Sequence, residues 1–143
     1  MVCKDTPCES HNMSTQPPQL SMLRLLLLAM VTSSVLHYVD NLLFFEQYPE
    51  PPWINRHHID AFWWIMTPLA WIGYHLIRRG ALRGGSATLL TYAACNLLTL
   101  GHYRYASLSD ISLRIHIFII LEAALAVVLT VFLFIIYLKR PVT

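Results

Sequence analysis

The chain is poor in charged residues. Asp, Glu, Lys and Arg make up 13% of its 143 residues, whereas 56% are hydrophobic. Soluble domains usually carry about 25% charged residues, and one domain of this length would struggle to cover so much apolar surface in water. The net charge of +2 is also too small and too scattered to indicate a nucleic-acid partner. These shortages predict an all-α integral membrane protein whose main partner is the lipid bilayer.

Cysteines and recognisable motifs are also scarce. The three cysteines are Cys3, Cys8 and Cys95, an odd number without metal-type spacing, which argues against a disulfide framework. The sequence contains no H-E-x-x-H or E-x-x-H motif, no nucleophile elbow and no phosphate-binding loop. Acyl and phosphoryl transfer are therefore the less favoured chemistries.

Four apolar segments are long enough to span a bilayer, which takes about 17–25 residues per helix. We predict spans over residues 20–45, 61–77, 87–105 and 111–137, preceded by a disordered cytoplasmic tail over residues 1–19. A Pro-rich stretch separates the first two spans, and Gly80, Gly84 and Gly85 separate the second from the third. The sequence thus predicts a four-helix bundle, because only helices satisfy their backbone inside lipid without closing a barrel.

Lys and Arg placement predicts the orientation. With four spans, one side of the membrane holds seven of these residues and the other holds three, and the richer side faces the cytoplasm. Both termini are therefore expected inside. The inner residues are Lys4, Arg24, Arg78, Arg79, Arg83, Lys139 and Arg140, and the outer ones are Arg56, Arg104 and Arg114.

This orientation gathers most of the remaining ionisable side chains toward the outer ends of the spans. His37, Asp40 and Asn41 share one face of the first span because they are three and four residues apart. Glu122 falls near the midplane, where a carboxylate costs about 2.5–3.5 kcal/mol and therefore usually faces the bundle interior. We predict an outward-facing pocket built from these residues and from His58, Asn96, His102 and His116.

Metal or haem binding is the leading hypothesis for this pocket. Histidines at similar depth on different helices are how bundles hold metals and haem. His37, His102 and His116 are the candidate metal ligands, and His37 with His102 the candidate haem ligands. Asp40 is placed to orient His37.

Two other hypotheses stay open. Glu122 and Asp40 could instead serve as catalytic acid and base on a lipophilic small molecule such as a sterol, quinone or isoprenoid. The third hypothesis is an accessory or transport subunit, within a homo-oligomer or a larger membrane complex.

Two stretches carry a resemblance. Residues 36–41, LHYVDN, followed by residues 48–53, YPEPPW, resemble a group of small bacterial four-span inner-membrane proteins that have no assigned function. The resemblance covers the first two spans and their connection, and it implies a bacterial inner-membrane location but no activity. The overall plan is also similar to the EXPERA fold of sterol isomerases and sigma-2-type receptors, in topology and in the Tyr-Pro segment.

Overall fold

The computed structural model describes residues 17–138, which form four α-helices and no strand. The helices are α1 Pro17–Leu43, α2 Arg56–Arg78, α3 Leu82–Leu97 and α4 Leu113–Leu133. Two 3₁₀ segments, Phe45–Gln47 and Leu98–Arg104, and a closing π turn at Phe134–Leu138 complete the described chain. The all-α prediction is confirmed.

The four helices form a ring in chain order. Helix α2 packs between α1 and α3, and α4 closes the ring by packing against both α3 and α1. The contact between α2 and α3 is the most extensive and that between α1 and α2 is the thinnest of the four. This arrangement places the end of α1, the start of α2, the end of α3 and the start of α4 at one end of the bundle.

The helix bounds differ from the prediction where capping and backbone geometry decide them. Helix α2 begins five residues early, because Asn55 caps it by accepting a hydrogen bond from the His58 backbone N–H at 3.1 Å. The sequence predicts that the third span is one α-helix through residues 98–104. In the structure these residues form a 3₁₀ helix. Helix α1 starts at Pro17, within the predicted tail; residues 1–16 of that tail lie outside the described part of the chain.

Apolar side chains both fill the bundle and cover it. The interior is packed around Leu23, Met30, Leu89 and Ile119, which are at most 1% exposed. The outside remains apolar, with Ile65, Trp71 and Leu113 each more than 60% exposed. Large exposed apolar surfaces are rare on soluble monomers. Two helical stretches of the described chain, Pro18–Leu43 and Leu113–Tyr137, are long and apolar enough to cross a membrane.

Two glycines let α2 and α3 approach until their backbones touch. A Cβ added to Gly85 would lie 2.5 Å from Ile77 Cγ1, 2.8 Å from the Ile77 nitrogen and 2.9 Å from the Gly73 oxygen. A Cβ added to Gly73 would meet Leu89 at 2.6 Å. Small residues at such crossings are the usual means of close helix packing in membranes. The α2–α3 hairpin therefore depends on these two positions having no side chain.

We predict that Gly85→Ala destabilises the protein by about 1–3 kcal/mol, because two of the three atoms that its Cβ meets belong to the α2 backbone and cannot move aside. Gly84→Ala is the matched control, since an added Cβ there meets nothing within 4 Å. The control should be neutral or stabilising by up to about 1 kcal/mol, as expected for Gly→Ala within a helix. The measurement is thermal unfolding of both variants in the same detergent, and equal melting temperatures would contradict the prediction.

Candidate functional site

A cavity of about 520 Å³ opens at the polar end of the bundle, between α1, α2 and α3. Its walls are mainly apolar, and Trp53, Phe62, Trp63 and Met66 supply much of them. Ten polar side chains also line it, although they supply the smaller part of its surface: Ser34, His37, Tyr38, Asn41, Glu50, His58, Asn96, Thr99, His102 and Glu122. A volume between about 300 and 1,000 Å³ with an apolar wall and few polar groups is typical of small-molecule sites.

The innermost polar pair of the cavity joins α1 to α4. His37 Nδ1 lies 2.5 Å from Glu122 Oε2, and both side chains are less than 10% exposed. The Thr99 hydroxyl lies 3.4 Å from the same His37 nitrogen. The His37 ring is held between Tyr48, with ring centroids 5.6 Å apart, and Phe118 at 6.1 Å, both in stacked geometry. These two ring contacts restrict rotation of the imidazole, so that Glu122 meets a ring of defined orientation.

The second nitrogen of His37 is not engaged by the described residues. Nε2 is buried and has no hydrogen-bond partner among the described residues. When Glu122 is a carboxylate, Nδ1–H donates to it and Nε2 carries a lone pair. When the pair gains one proton, Glu122 can donate to Nδ1 while Nε2 carries the N–H. The same atom thus serves as base in one state and as acid in the other.

The connection between α1 and α2 covers this end of the bundle. Its Tyr48 is 5% exposed, and its Pro49 carbonyl and Glu50 carboxylate contact other elements. Glu50 accepts a hydrogen bond from Asn41 Nδ2 at 3.0 Å and lies 3.7 Å from His102 Nδ1. Because three prolines keep this connection from becoming helical, its polar groups are free to reach the cavity.

Asp40 is engaged elsewhere than predicted. Its carboxylate accepts hydrogen bonds from Arg114 Nη1 at 2.5 Å and from the Tyr48 hydroxyl at 2.7 Å. Arg114 also donates to Gln47 Oε1 at 2.9 Å and lies over the Phe44 ring. The expectation that Asp40 orients His37 is therefore wrong: Glu122 occupies that position, and Asp40 lies outside the cavity lining. The Asp40 ion pair instead fastens the connection to α1 and α4.

The three predicted metal ligands do not come together. His116 Nε2–H donates to the Leu108 carbonyl at 2.9 Å, and its Nδ1 accepts from the Tyr103 hydroxyl at 3.0 Å, so both nitrogens are occupied away from the cavity. His37 and His102 do meet, with ring centroids 5.8 Å apart. Within residues 17–138, however, no group of three or more His, Cys, Asp or Glu could hold a metal ion. Metal or haem binding therefore receives no support.

The three predicted pocket residues, Asn41, His58 and Asn96, all line the cavity. Asn96 is 2% exposed, and its Nδ2 donates to the Tyr92 carbonyl one turn earlier at 2.7 Å, which ties the amide to its own helix. His58 is exposed at the cavity mouth. Asn41 is 5% exposed and uses its Nδ2 on Glu50, while its Oδ1 is buried with no partner among the described residues.

Sequence reasoning missed Tyr48, Glu50 and the pairing of Tyr38 with Asp60. The Tyr38 hydroxyl donates to Asp60 at 2.5 Å while its ring stacks on Trp63 at 4.7 Å. The sequence could have indicated Tyr48 and Glu50, because a tyrosine and an acidic residue lie beside three prolines in a chain that is otherwise short and apolar. The Tyr38 contact had no such signal, since it depends on how α1 and α2 are rotated.

No family model matches the chain, and comparison with curated proteins and with solved structures finds no match either. Functional argument therefore proceeds from the geometry of the cavity.

Burial raises the pKa of the Tyr48 hydroxyl above its ordinary value, and its hydrogen bond to the Asp40 carboxylate raises it further. A raised folded-state pKa gives stability that is fully present below the unfolded value of about 10 and is lost as pH rises above it. Tyr48→Phe removes this contribution and one buried hydrogen bond, about 0.5–1.5 kcal/mol. We therefore predict a variant that is less stable at pH 8, with the difference from wild type shrinking between pH 9 and 11. Thermal unfolding over that range measures it, and a difference independent of pH would contradict it.

Proposed function

We propose that the chain is embedded in a membrane through all four helices, with both termini in the cytoplasm. Two helices meet the length and hydropathy expected of a span. Helix α2 adds support, because Trp64, Ile65 and Trp71 are each at least 67% exposed on it. Lipid contact would cover these side chains, and α3 belongs to the same bundle through its backbone contact with α2. The sequence assigns seven Lys and Arg to the predicted inner side and three to the outer side, which supports this orientation. We propose the bacterial inner membrane as the location from the resemblance of residues 36–41 and 48–53.

Reporter fusions test this topology. Alkaline phosphatase joined after Ile54 or Ser109 should be active, because those connections face the periplasm. The same reporter joined after Gly80 or at the C-terminus should be inactive, and green fluorescent protein should give the opposite pattern at all four sites. Activity on the same side for the fusions at Ile54 and Gly80 would contradict four spans.

We propose further that the cavity is the active site of an enzyme that moves a proton on a lipophilic substrate. The observation that carries this proposal is the His37–Glu122 pair, which lines an apolar cavity while Nε2 of the imidazole has no partner among the described residues. A buried carboxylate and histidine are expensive to keep in an apolar bundle. Their placement against an apolar cavity supports a role in chemistry on an apolar molecule.

The pair can take up a proton without forming an imidazolium ion, and the negative charge passes from Glu122 to the substrate. In the resting base form, Glu122 is a carboxylate, Nδ1–H donates to it, and Nε2 presents a lone pair. Nε2 takes a proton from a carbon of the substrate, and the Nδ1 proton passes to Glu122 across the 2.5 Å contact. The pair is then neutral, and the electron pair of the broken C–H bond remains on the substrate. Return of the Nε2 proton to another carbon completes an isomerisation, with no gain or loss of electrons.

Neighbouring groups have supporting parts in this scheme. His102 is less than 15% exposed and its ring faces both His37 and Tyr48. Its Nδ1–H is directed at the Pro49 carbonyl at 3.4 Å, which fixes the tautomer and leaves Nε2 as the other polar atom of the ring. Trp53, Phe62 and Trp63 provide the apolar surface that binds the substrate body and keeps water from a charged intermediate.

Deuterium incorporation tests the proposal for every candidate substrate in the host membrane at once. The purified protein is placed in nanodiscs with total lipid extract from that membrane and incubated in D₂O, and the extract is searched by mass spectrometry for carbon-bound deuterium. Wild type should label at least one lipophilic compound. Glu122→Gln and His37→Gln should reduce the labelling rate by about 10²–10⁴-fold, the usual contribution of a general base.

His57→Gln is the matched control, because His57 is exposed on α2 and does not line the cavity. It should label at the wild-type rate. Failure of wild type to label any compound, or equal labelling by wild type and Glu122→Gln, would overturn the proposed activity.

A further inference from the structure

The cavity contains a second polar position, one helical turn from His37. Asn41 lies four residues after His37 on α1, so the two side chains share a face and are separated by about 5–6 Å along the helix. Both line the cavity. The proton transfer proposed above involves His37 and Glu122. Asn41 takes no part in it.

The orientation of the Asn41 amide follows from its partner. The Glu50 carboxylate can only accept hydrogen bonds when ionised, so the group that faces it at 3.0 Å is the Asn41 amide nitrogen. The Asn41 oxygen is therefore the end that is left over. It is buried in a residue that is 5% exposed, and it has no donor among the described residues. An unpaired buried acceptor costs about 1–3 kcal/mol, and a ligand with a hydrogen-bond donor would remove that cost.

The wall also supplies a donor. The indole N–H of Trp63 is buried without a partner in the described part of the chain, and Trp63 lines the same cavity. A hydroxyl group both donates and accepts, so it can pair with an unpartnered acceptor or an unpartnered donor of the wall. Ethers, aldehydes and ketones only accept and would leave the Asn41 oxygen unsatisfied.

Charge excludes the other polar candidates. The Glu50 carboxylate is 14% exposed, lines the cavity and is hydrogen-bonded to Asn41, so an anionic head group beside Asn41 would meet a like charge. A sugar or other polyol would set several hydroxyls against a lining whose surface is mainly apolar, and each hydroxyl left without a partner would carry a cost. A single neutral hydroxyl on an apolar body satisfies both conditions.

We propose that the substrate is a neutral lipophilic alcohol, whose hydroxyl binds at the Asn41 oxygen, while a carbon made acidic by a carbonyl or other electron-withdrawing group elsewhere on the same molecule lies at His37. This inference rests on the proposed function, because it takes the cavity as the substrate site. It makes Asn41 a specificity-determining residue, which selects the substrate by its O–H and takes no part in the transfer itself.

Alkylation of Cys95 provides the binding assay, because Cys95 is partly exposed and lines the cavity. In a Cys3→Ser/Cys8→Ser background, a maleimide reacts with Cys95 alone, and a bound ligand protects it. The probes are a C15 isoprenoid alcohol, its methyl ether and its carboxylic acid, three compounds with the same apolar body. The concentration that protects half of Cys95 gives an apparent affinity for each.

Wild type should bind the alcohol about 3–10-fold more tightly than the ether, the value of one hydrogen bond to a neutral buried acceptor. Asn41→Leu should reduce this alcohol-to-ether ratio to about 1. Glu50→Gln keeps the Asn41 oxygen and should leave the ratio within about twofold of wild type, while it improves binding of the acid. The use of ratios cancels the partitioning of each probe into detergent.

A purely structural role for Asn41, through its contact with Glu50, would weaken the alcohol and the ether equally in Asn41→Leu and leave the ratio unchanged, which would overturn the inference. A wild-type protein that none of the three compounds protects, or that binds alcohol and ether equally, would overturn it as well. Deuterium labelling separates the two proposals. If the protein labels a compound with deuterium but binds alcohol and ether equally, only the substrate assignment is contradicted. If it prefers the alcohol but labels nothing, only the proton transfer is contradicted.

Discussion

The pairing of Glu122 with His37 is the interaction on which the polar end of this bundle depends. A carboxylate on α4 faces an interior whose other buried residues on that helix are Ile and Ala for a turn in each direction. Leaving it unpaired would cost about 3–5 kcal/mol. The imidazole of His37 meets that need from α1 and fixes how α1 and α4 are rotated against each other. With that rotation set, the residues three and four positions further along α1 have their directions determined too. Asp40 is brought to Arg114, and Asn41 is brought to the cavity.

Two polar assemblies thus lie side by side with different tasks. The first, Asp40 with Arg114, Gln47 and Tyr48, is closed: the Asp40 oxygens and the Tyr48 hydroxyl all have partners, and the assembly holds the connection against α1 and α4. The second, His37 with Glu122 and Asn41, keeps atoms without a partner in residues 17–138 and borders a cavity. Tyr48 links them, because its hydroxyl belongs to the first and its ring stacks on His37 in the second. Through the Tyr48 ring, the first assembly therefore holds the His37 ring of the second in position.

Sequence reasoning reached the helix number, the class and the collection of polar residues at one end, because these follow from apolar run length and from residue spacing on a helix. Six of the residues that it grouped line one cavity: His37, Asn41, His58, Asn96, His102 and Glu122. It failed where the direction in which a side chain points, rather than its depth along the helix, decides its contacts. Similar depth groups the histidines as metal ligands, but His116 is bound to Tyr103 and to the Leu108 carbonyl, away from the cavity. The 3₁₀ winding of residues 98–104 was equally out of reach. Its three-residue turn places Thr99 directly in line with His102, whereas an α-helix would keep them on one face but offset by roughly 60°. Side-chain rotation about each helix depends on contacts between helices, which spacing along one segment does not contain.

The backbone contact between α2 and α3 also determines which parts of the molecule can change shape. The Gly73 oxygen and the Ile77 nitrogen lie where a Cβ of residue 85 would be, so backbone meets backbone with no side-chain layer between α2 and α3. The ring is thinnest between α1 and α2, on the side where Tyr38 and Trp63 form the wall. Under the proposed function, a guest larger than the cavity would part α1 from α2 at that seam. The stacked rings of Tyr38 and Trp63 would then set how far the wall can open toward the lipid.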